Sequence, residues 1–265
     1  MSDYIFTEAS HHEEWQRLQA IEKVFDPVSH RRIGATGWGS DWQVLEVGAG
    51  AGSLSRWFAH WVGAAGRVVA VDRDTRFLQG IPASLEEGNL SVVEGDIIHL
   101  ELPQEHFDLV HARCLLIHIP NYPQALQKML HFLKPGGWLV LEEPDFAVAR
   151  AIVGEGSPSV ERVNRAILKM FAQRQMDPAL GSRLPALLQA WGLEKLRVES
   201  DALLAAGGSE IAQIMQMSAR HLATTYLATG EVEPQDIAAY QHFALDPTCW
   251  AIYYANVGTI AQKPV

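Results

Sequence analysis

Between residues 43 and 142, short apolar runs alternate with stretches whose apolar positions recur at helical spacing. The runs Gln43–Val47, Arg67–Val71, Ser91–Glu94, Asp108–His111 and Trp138–Glu142 predict strands. Between them, Ser53–Trp61, Thr75–Leu85 and Pro123–Leu133 predict amphipathic helices, and Lys134-Pro135-Gly136-Gly137 predicts a turn before the fifth strand. Apolar strands separated by helices imply a parallel sheet covered on both faces.

The flanks carry more helix. Over residues 10–33, Ser10 and Glu13 form a capping-box pattern, and Trp15, Leu18, Ile21 and Phe25 share one face. Asp26-Pro27 is expected to end that helix or to start the next. Beyond Asp145 the pattern predicts helices at Val160–Met176 and Leu184–Trp191 and a strand at Glu194–Ser200. Helices at Glu210–Leu227 and Pro234–Ala244 then precede a last strand, Trp250–Val257. No repeat divides the chain, so 1–265 reads as one α/β domain: an N-terminal helical cap (1–39), a core (40–145), and lid helices with the last two strands (146–265).

Composition narrows the partners. The 265 residues are 48% hydrophobic and 20% charged, as in a globular chain, and their formal charge of −10 disfavours nucleic acid, whose phosphates need a basic surface. Only His30-Arg31-Arg32 is densely basic. The two cysteines, Cys114 and Cys249, are too far apart for a disulfide framework or a paired metal motif, which suits a reducing compartment. Neither a signal peptide nor an apolar membrane span stands out, so the expectation is a cytoplasmic protein without a membrane partner.

The chemistry is concentrated in Val44-Leu45-Glu46-Val47-Gly48-Ala49-Gly50-Ala51-Gly52-Ser53, an apolar strand that runs through three alternating glycines into a helix. Absent β-carbons let the backbone turn tightly against a ligand, and the helix start offers free N–H groups. A dinucleotide fingerprint would need glycine where Ser53 stands, so the G-x-G-x-G form suits a ligand without pyrophosphate. Asp72, closing the next strand, is placed to accept from ribose hydroxyls, although it could instead cap the helix opening at Thr75. Glu46 inside an apolar strand points to a ligand or a hydrogen-bond role, because an unpaired charge there is costly.

Over residues 40–145 the chain resembles the class I S-adenosylmethionine-dependent methyltransferases, with flanks (Arg17-Leu18, Phe25-Asp26-Pro27) similar to a bacterial small-molecule branch. The resemblance rests on Leu45–Gly52, Val69-Ala70-Val71-Asp72-Arg73, Glu94-Gly95-Asp96-Ile97, Phe107–Arg113 and Leu133–Leu139, in that order. It implies a Rossmann-like, seven-stranded, mostly parallel sheet with helices on both faces and additional lid helices. It implies S-adenosyl-L-methionine as cofactor, with Glu46, Gly48, Ala49, Gly50 and Gly52 at its methionine portion and Asp72 at the ribose. Arg73, Asp96 and Ile97 would surround the adenine, and Arg113 would close over the methionine end.

Methyl transfer from a sulfonium is an in-line displacement that needs positioning and exclusion of water, and a base only where the acceptor must lose a proton. His118 and His111 are the candidate bases, with Glu142, Glu143 and Asp145 nearby. No metal is expected, since nothing in the spacing of these acids demands one. The expected acceptor is a small molecule. A protein acceptor, a cofactor-binding partner without activity and a homodimer are states the sequence leaves open.

Overall fold

A computed structural model describes residues 5–6, 10–37, 39–78 and 88–265. Helix α1 (His11–Gly34) opens on the Ser10–Glu13 capping box, with Glu13 and Glu14 in its first turn and Arg31 and Arg32 in its last, each suited to the helix dipole. It runs straight through Pro27, contrary to the expected break. An interior proline costs about 3 kcal/mol. Anchors beyond it offset this: Ser29 and Arg32 are fully buried and bonded to the sheet.

Strand β1 (Gln43–Val47), helix α2 (Ser53–Val62), β2 (Arg67–Asp72), β3 (Leu90–Glu94), β4 (Phe107–Arg113), α3 (Tyr122–Phe132) and β5 (Leu133–Asp145) follow. Residues Thr75–Leu78 form a short 3₁₀ turn, and the rest of the helix expected at Thr75–Leu85 falls outside the described residues. Next come β6 (Arg150–Val153), α4 (Ser157–Gln173), α5 (Leu180–Ala190), β7 (Glu194–Ala206), α6 (Glu210–His221), α7 (Ala223–Ala228), α8 (Pro234–Phe243) and β8 (Trp250–Gln262). The helix expected over Glu210–Leu227 is broken at Leu222, and the last strand reaches Gln262.

The sheet has eight strands, not seven: β3-β2-β1-β4-β5-β8-β6, with β7 also paired to β8. The added strand is β6, four half-exposed residues that pair with Trp250–Ile252. Strands β1 to β5 are parallel, whereas β8 runs antiparallel to β5, β6 and β7. The order reverses between β1 and β4, which leaves a crevice at their carboxyl ends.

Strand alternation sorts the core. Leu45, Val110, Leu139 and Leu141 face one apolar layer with Met129, Phe132, Leu180 and Leu184, while Val44, Leu109 and Val140 face Leu54, Phe58 and Ile33 on the other side. Among the described residues no helix is long and apolar enough to cross a membrane.

Candidate active site

The glycine loop leaves β1 with Gly48, Gly50 and Gly52 all at positive φ (77°, 57° and 81°), a region that disfavours any side chain. The Gly48 N–H donates to Val71 O at 2.8 Å, and the Gly50 N–H donates to Asp72 Oδ2 at 2.8 Å. Asp72 also accepts from the Asp74 N–H at 2.9 Å. Burial raises its pKa against these two N–H bonds, as for a carboxylate held partly out of water. The adjoining turn brings Arg73 within 3.8 Å of Asp96, and Asp96 accepts from the Ile98 N–H at 2.9 Å, while Ile97 is buried. Glycine loop, Asp72, Arg73, Asp96 and Ile97 therefore share the carboxyl edge of β1, β2 and β3.

Glu46 points to the α2 side of the sheet and is buried, where the Ser55 hydroxyl donates to it. Burial pushes its carboxyl up to about 8, opposed by Ser55 and by the charge of Arg113 and assisted by Asp26 and Glu22. The last two acids come from α1. The N-cap of α2 is Gly52, which has no side chain to cap the helix, and Glu22 supplies the acceptor instead, 3.0 Å from the Ser53 N–H. Asp26 accepts from the Ser53 hydroxyl at 3.1 Å and pairs with Arg113 at 2.9 Å. Arg113 also donates to Ser29 Oγ at 2.9 Å, so it ties α1 to the end of β4. Glu22 and Asp26 were not candidates from the sequence, although Asp26 stood in the flanking Phe25-Asp26-Pro27. Three acids against one arginine fit a ligand that brings its own positive charge, beside a carboxylate suited to ribose hydroxyls.

The two histidine candidates separate. His111 is fully buried on the α2 face of β4, edge-on to Phe58, with Nε2 3.1 Å from Glu142 Oε1. It does not line the cavity described below, so the structure sets it apart from His118. Glu142 accepts also from Arg32 Nη1 at 2.6 Å. Burial opposes its ionisation, but the His111 hydrogen bond and the charges of His111, Arg113 and Arg32 hold its pKa down to about 2. Arg32, buried too, bonds Asn256, Asp201 and the Glu199 carbonyl, and it passes over Gly258, where a β-carbon would fall 2.2 Å from its Nε. This network clamps α1 to β5, β7 and β8.

Glu143, one residue on, points to the opposite face, as strand alternation requires. Its carboxylate accepts from the Leu115, Leu116 and Ile117 N–H groups at 3.0, 2.8 and 3.2 Å. That nest fixes the turn Leu116–His118 after β4. Leu115 in turn lies against Gly48. Asp145 caps the next turn through the Ala147 N–H and accepts from Ser182, so it too is occupied structurally.

Beyond this turn lies a cavity of about 60 Å³. The β4 loop contributes Cys114, Ile117 and His118; the end of β5 contributes Pro144 and then Phe146. Helix α4 adds Ile167, Met170 and Phe171, α6 adds Ile214, Met215 and Ser218, and α1 adds Arg17 and Ile21. His118, a candidate base from the sequence, is among the residues that line the cavity. Burial, then the charges of Arg17 and Arg174, push its pKa down to about 3. Among the described residues no cluster of three or more His, Cys, Asp or Glu side chains is placed to hold a metal ion.

Comparisons with known proteins return methyltransferases. A family model for a methyltransferase domain matches residues 44–137. Methyltransferase str3 of Strobilurus tenacellus is 28% identical over 178 residues, covering 67% of this chain and 62% of its own length. The ubiquinone/menaquinone biosynthesis C-methyltransferase UbiE of Pseudomonas paraeruginosa is 36% identical over 105 residues, or 38% of this chain and 41% of its own. This chain thus matches less than two thirds of either relative. Phosphoethanolamine N-methyltransferase 2 of Haemonchus contortus, solved with phosphomonomethylethanolamine and S-adenosylhomocysteine, superposes with a TM-score of 0.59 at 16% identity, covering 94% of this chain and 57% of that one. At that identity the likeness is one of fold.

Proposed function

We propose that this chain, which matches a methyltransferase-domain model over residues 44–137 and curated methyltransferases in part, is a class I S-adenosylmethionine-dependent methyltransferase that methylates a small molecule held in the cavity beside His118. The observation that carries this reading is the closeness of Leu115 to Gly48, where a β-carbon would stand 3.0 Å from Leu115 Cδ1, so that the glycine loop adjoins the turn that leads to the cavity. Asp72 would hold the ribose, Arg73, Asp96 and Ile97 the adenine, and Glu46 with the glycine loop the methionine end. When bound, S-adenosylmethionine supplies a methyl group on a positively charged sulfur, and the breaking S–C bond leaves its electron pair on that sulfur.

The protein's own part is positioning. Glu143 holds the turn that presents His118, and α1, α4 and α6 exclude water from the cavity. His118, kept neutral, accepts a hydrogen bond from the acceptor and orients it. With so low a pKa it orients the acceptor rather than keeping its proton, which leaves for solvent when the cavity opens to release product. The cavity's small volume favours a small molecule over a protein acceptor.

Incubation with methyl-tritiated S-adenosylmethionine and a panel of small acceptors, with an unstructured protein as comparison, tests the reading. Label is expected in a small molecule, and His118→Asn is expected to slow transfer about 10–100-fold with S-adenosylhomocysteine affinity intact. Cofactor binding with label only on protein, or with none transferred, contradicts it.

A further inference from the structure

We propose, resting on the methyltransferase reading above, that the cavity selects a neutral acceptor built on a single aromatic or unsaturated ring, against amines and acids of the same size. Size sets the first limit. At about 60 Å³ the cavity is smaller than the roughly 150 Å³ that encloses benzene, so a single ring already exceeds its present space and larger guests are disfavoured further. Even that requires Met170 and Met215 to swing aside, which unbranched thioether side chains do readily.

Shape sets the second limit. Phe146 stacks on Phe171 at 5.5 Å and lies 5.2 Å from Tyr254, while His118 stands 6.5 Å from Phe171 and 6.4 Å from Phe6. These centroid distances are those at which rings attract one another by stacking or edge contact, so a flat guest meets ring faces and edges on several sides.

Charge sets the third. Among the described residues no aspartate or glutamate lines the cavity. Its one permanent cation, Arg17, is already gripped by Glu14 through bonds of 2.7 and 2.9 Å and lies over the Phe6 ring. The other titratable lining groups are held neutral at pH 7 by burial: His118 is pushed down to about 3, Cys114 up to about 12, and Tyr226 and Tyr254 are raised as well. An ammonium group entering here sheds its water without meeting a carboxylate, and ring faces return only part of that loss. A carboxylate would have to displace Glu14 from Arg17. A neutral ring meets neither cost.

Three probes with the same ring separate these outcomes: 4-methylphenol, benzylamine and benzoate, titrated calorimetrically at pH 7.5 into protein loaded with S-adenosylhomocysteine. We expect 4-methylphenol to bind at least about tenfold tighter than either charged probe. Ser218→Asp, which puts a carboxylate on the cavity wall, is expected to shift preference toward benzylamine, and Phe171→Leu is expected to weaken 4-methylphenol. Equal or tighter binding of benzylamine or benzoate by the unaltered protein overturns the inference. So does the absence of binding by all three while S-adenosylhomocysteine binds, which would make the cavity a packing void. Failure of S-adenosylhomocysteine itself to bind would instead strike the methyltransferase reading.

Discussion

Leu115 lies across Gly48: a β-carbon on the glycine would stand 3.0 Å from Leu115 Cδ1. The glycine loop and the turn that carries His118 therefore lie too close to admit a side chain between them, and a change at one is expected to be felt at the other. Gly48→Ala combines that clash with a φ of 77°, whereas at Gly50 (φ 57°) a β-carbon meets Leu18 only at 3.6 Å. We expect Gly48→Ala to cost about 1–3 kcal/mol and Gly50→Ala less. Urea denaturation of the two variants checks the order.

With Glu46 at the cofactor's methionine end, as proposed, binding is expected to depend on pH. The folded Glu46 pKa of about 8 lies above the ordinary 4.5 of a glutamate, so its contribution to stability is full below 4.5 and is lost as pH rises through about 8. A positively charged ligand favours the ionised form, so binding at pH 7 should release up to about one proton. Calorimetry of S-adenosylmethionine in buffers of different ionisation enthalpy is expected to detect that proton, and Glu46→Gln is expected to abolish it while flattening the fall in stability between pH 5 and 8.

Glu143 joins β5 to the cavity turn through three N–H bonds. Glu143→Gln keeps one acceptor oxygen but turns a donor toward a backbone N–H. The expected cost is about 1–3 kcal/mol in stability. Transfer is expected to fall several-fold and S-adenosylhomocysteine affinity to fall by less, because Glu143 reaches the glycine loop only indirectly, through Leu115. Parallel turnover and calorimetric titrations check the split.

Arg32→Met removes the buried cation that faces Glu142, Asp201 and Asn256. Losing one partner of a buried ion pair costs about 3–5 kcal/mol because the other charge stays buried. Thermal unfolding is expected some 10 °C lower. Gly258→Ala should behave similarly, since its β-carbon would overlap a guanidinium that has no room to move.

The parts of the fold legible in the sequence were those written in local pattern. Gln43–Val47 and the glycines after it announced strand, loop and helix start, because apolar runs and absent side chains are local signals. Arg150–Val153 escaped notice because its partner, Trp250–Ile252, lies a hundred residues away and its own pattern is short and half-exposed. Pro27 misled because burial of Ser29 and Arg32 outweighs a local breaker. Position along the chain brought His118 to the cavity and kept His111 near it in sequence, yet only strand alternation and the Arg32–Glu142 pair, 110 positions apart, divert His111 into the other layer. Glu22 and Asp26 carried no motif of their own; their role follows from α1 docking on the bare N-terminus of α2.

The central claim, that the edge formed by the glycine loop and Asp72 holds S-adenosylmethionine, is tested most directly by titrating S-adenosylhomocysteine into the unaltered protein and into Asp72→Asn. Asp72 already accepts from the Gly50 N–H and is placed to accept from ribose hydroxyls as well. We expect a single site in the unaltered protein and an affinity at least about tenfold weaker in the variant, with unchanged circular dichroism. No binding to the unaltered protein, or equal affinity in both, would contradict the account.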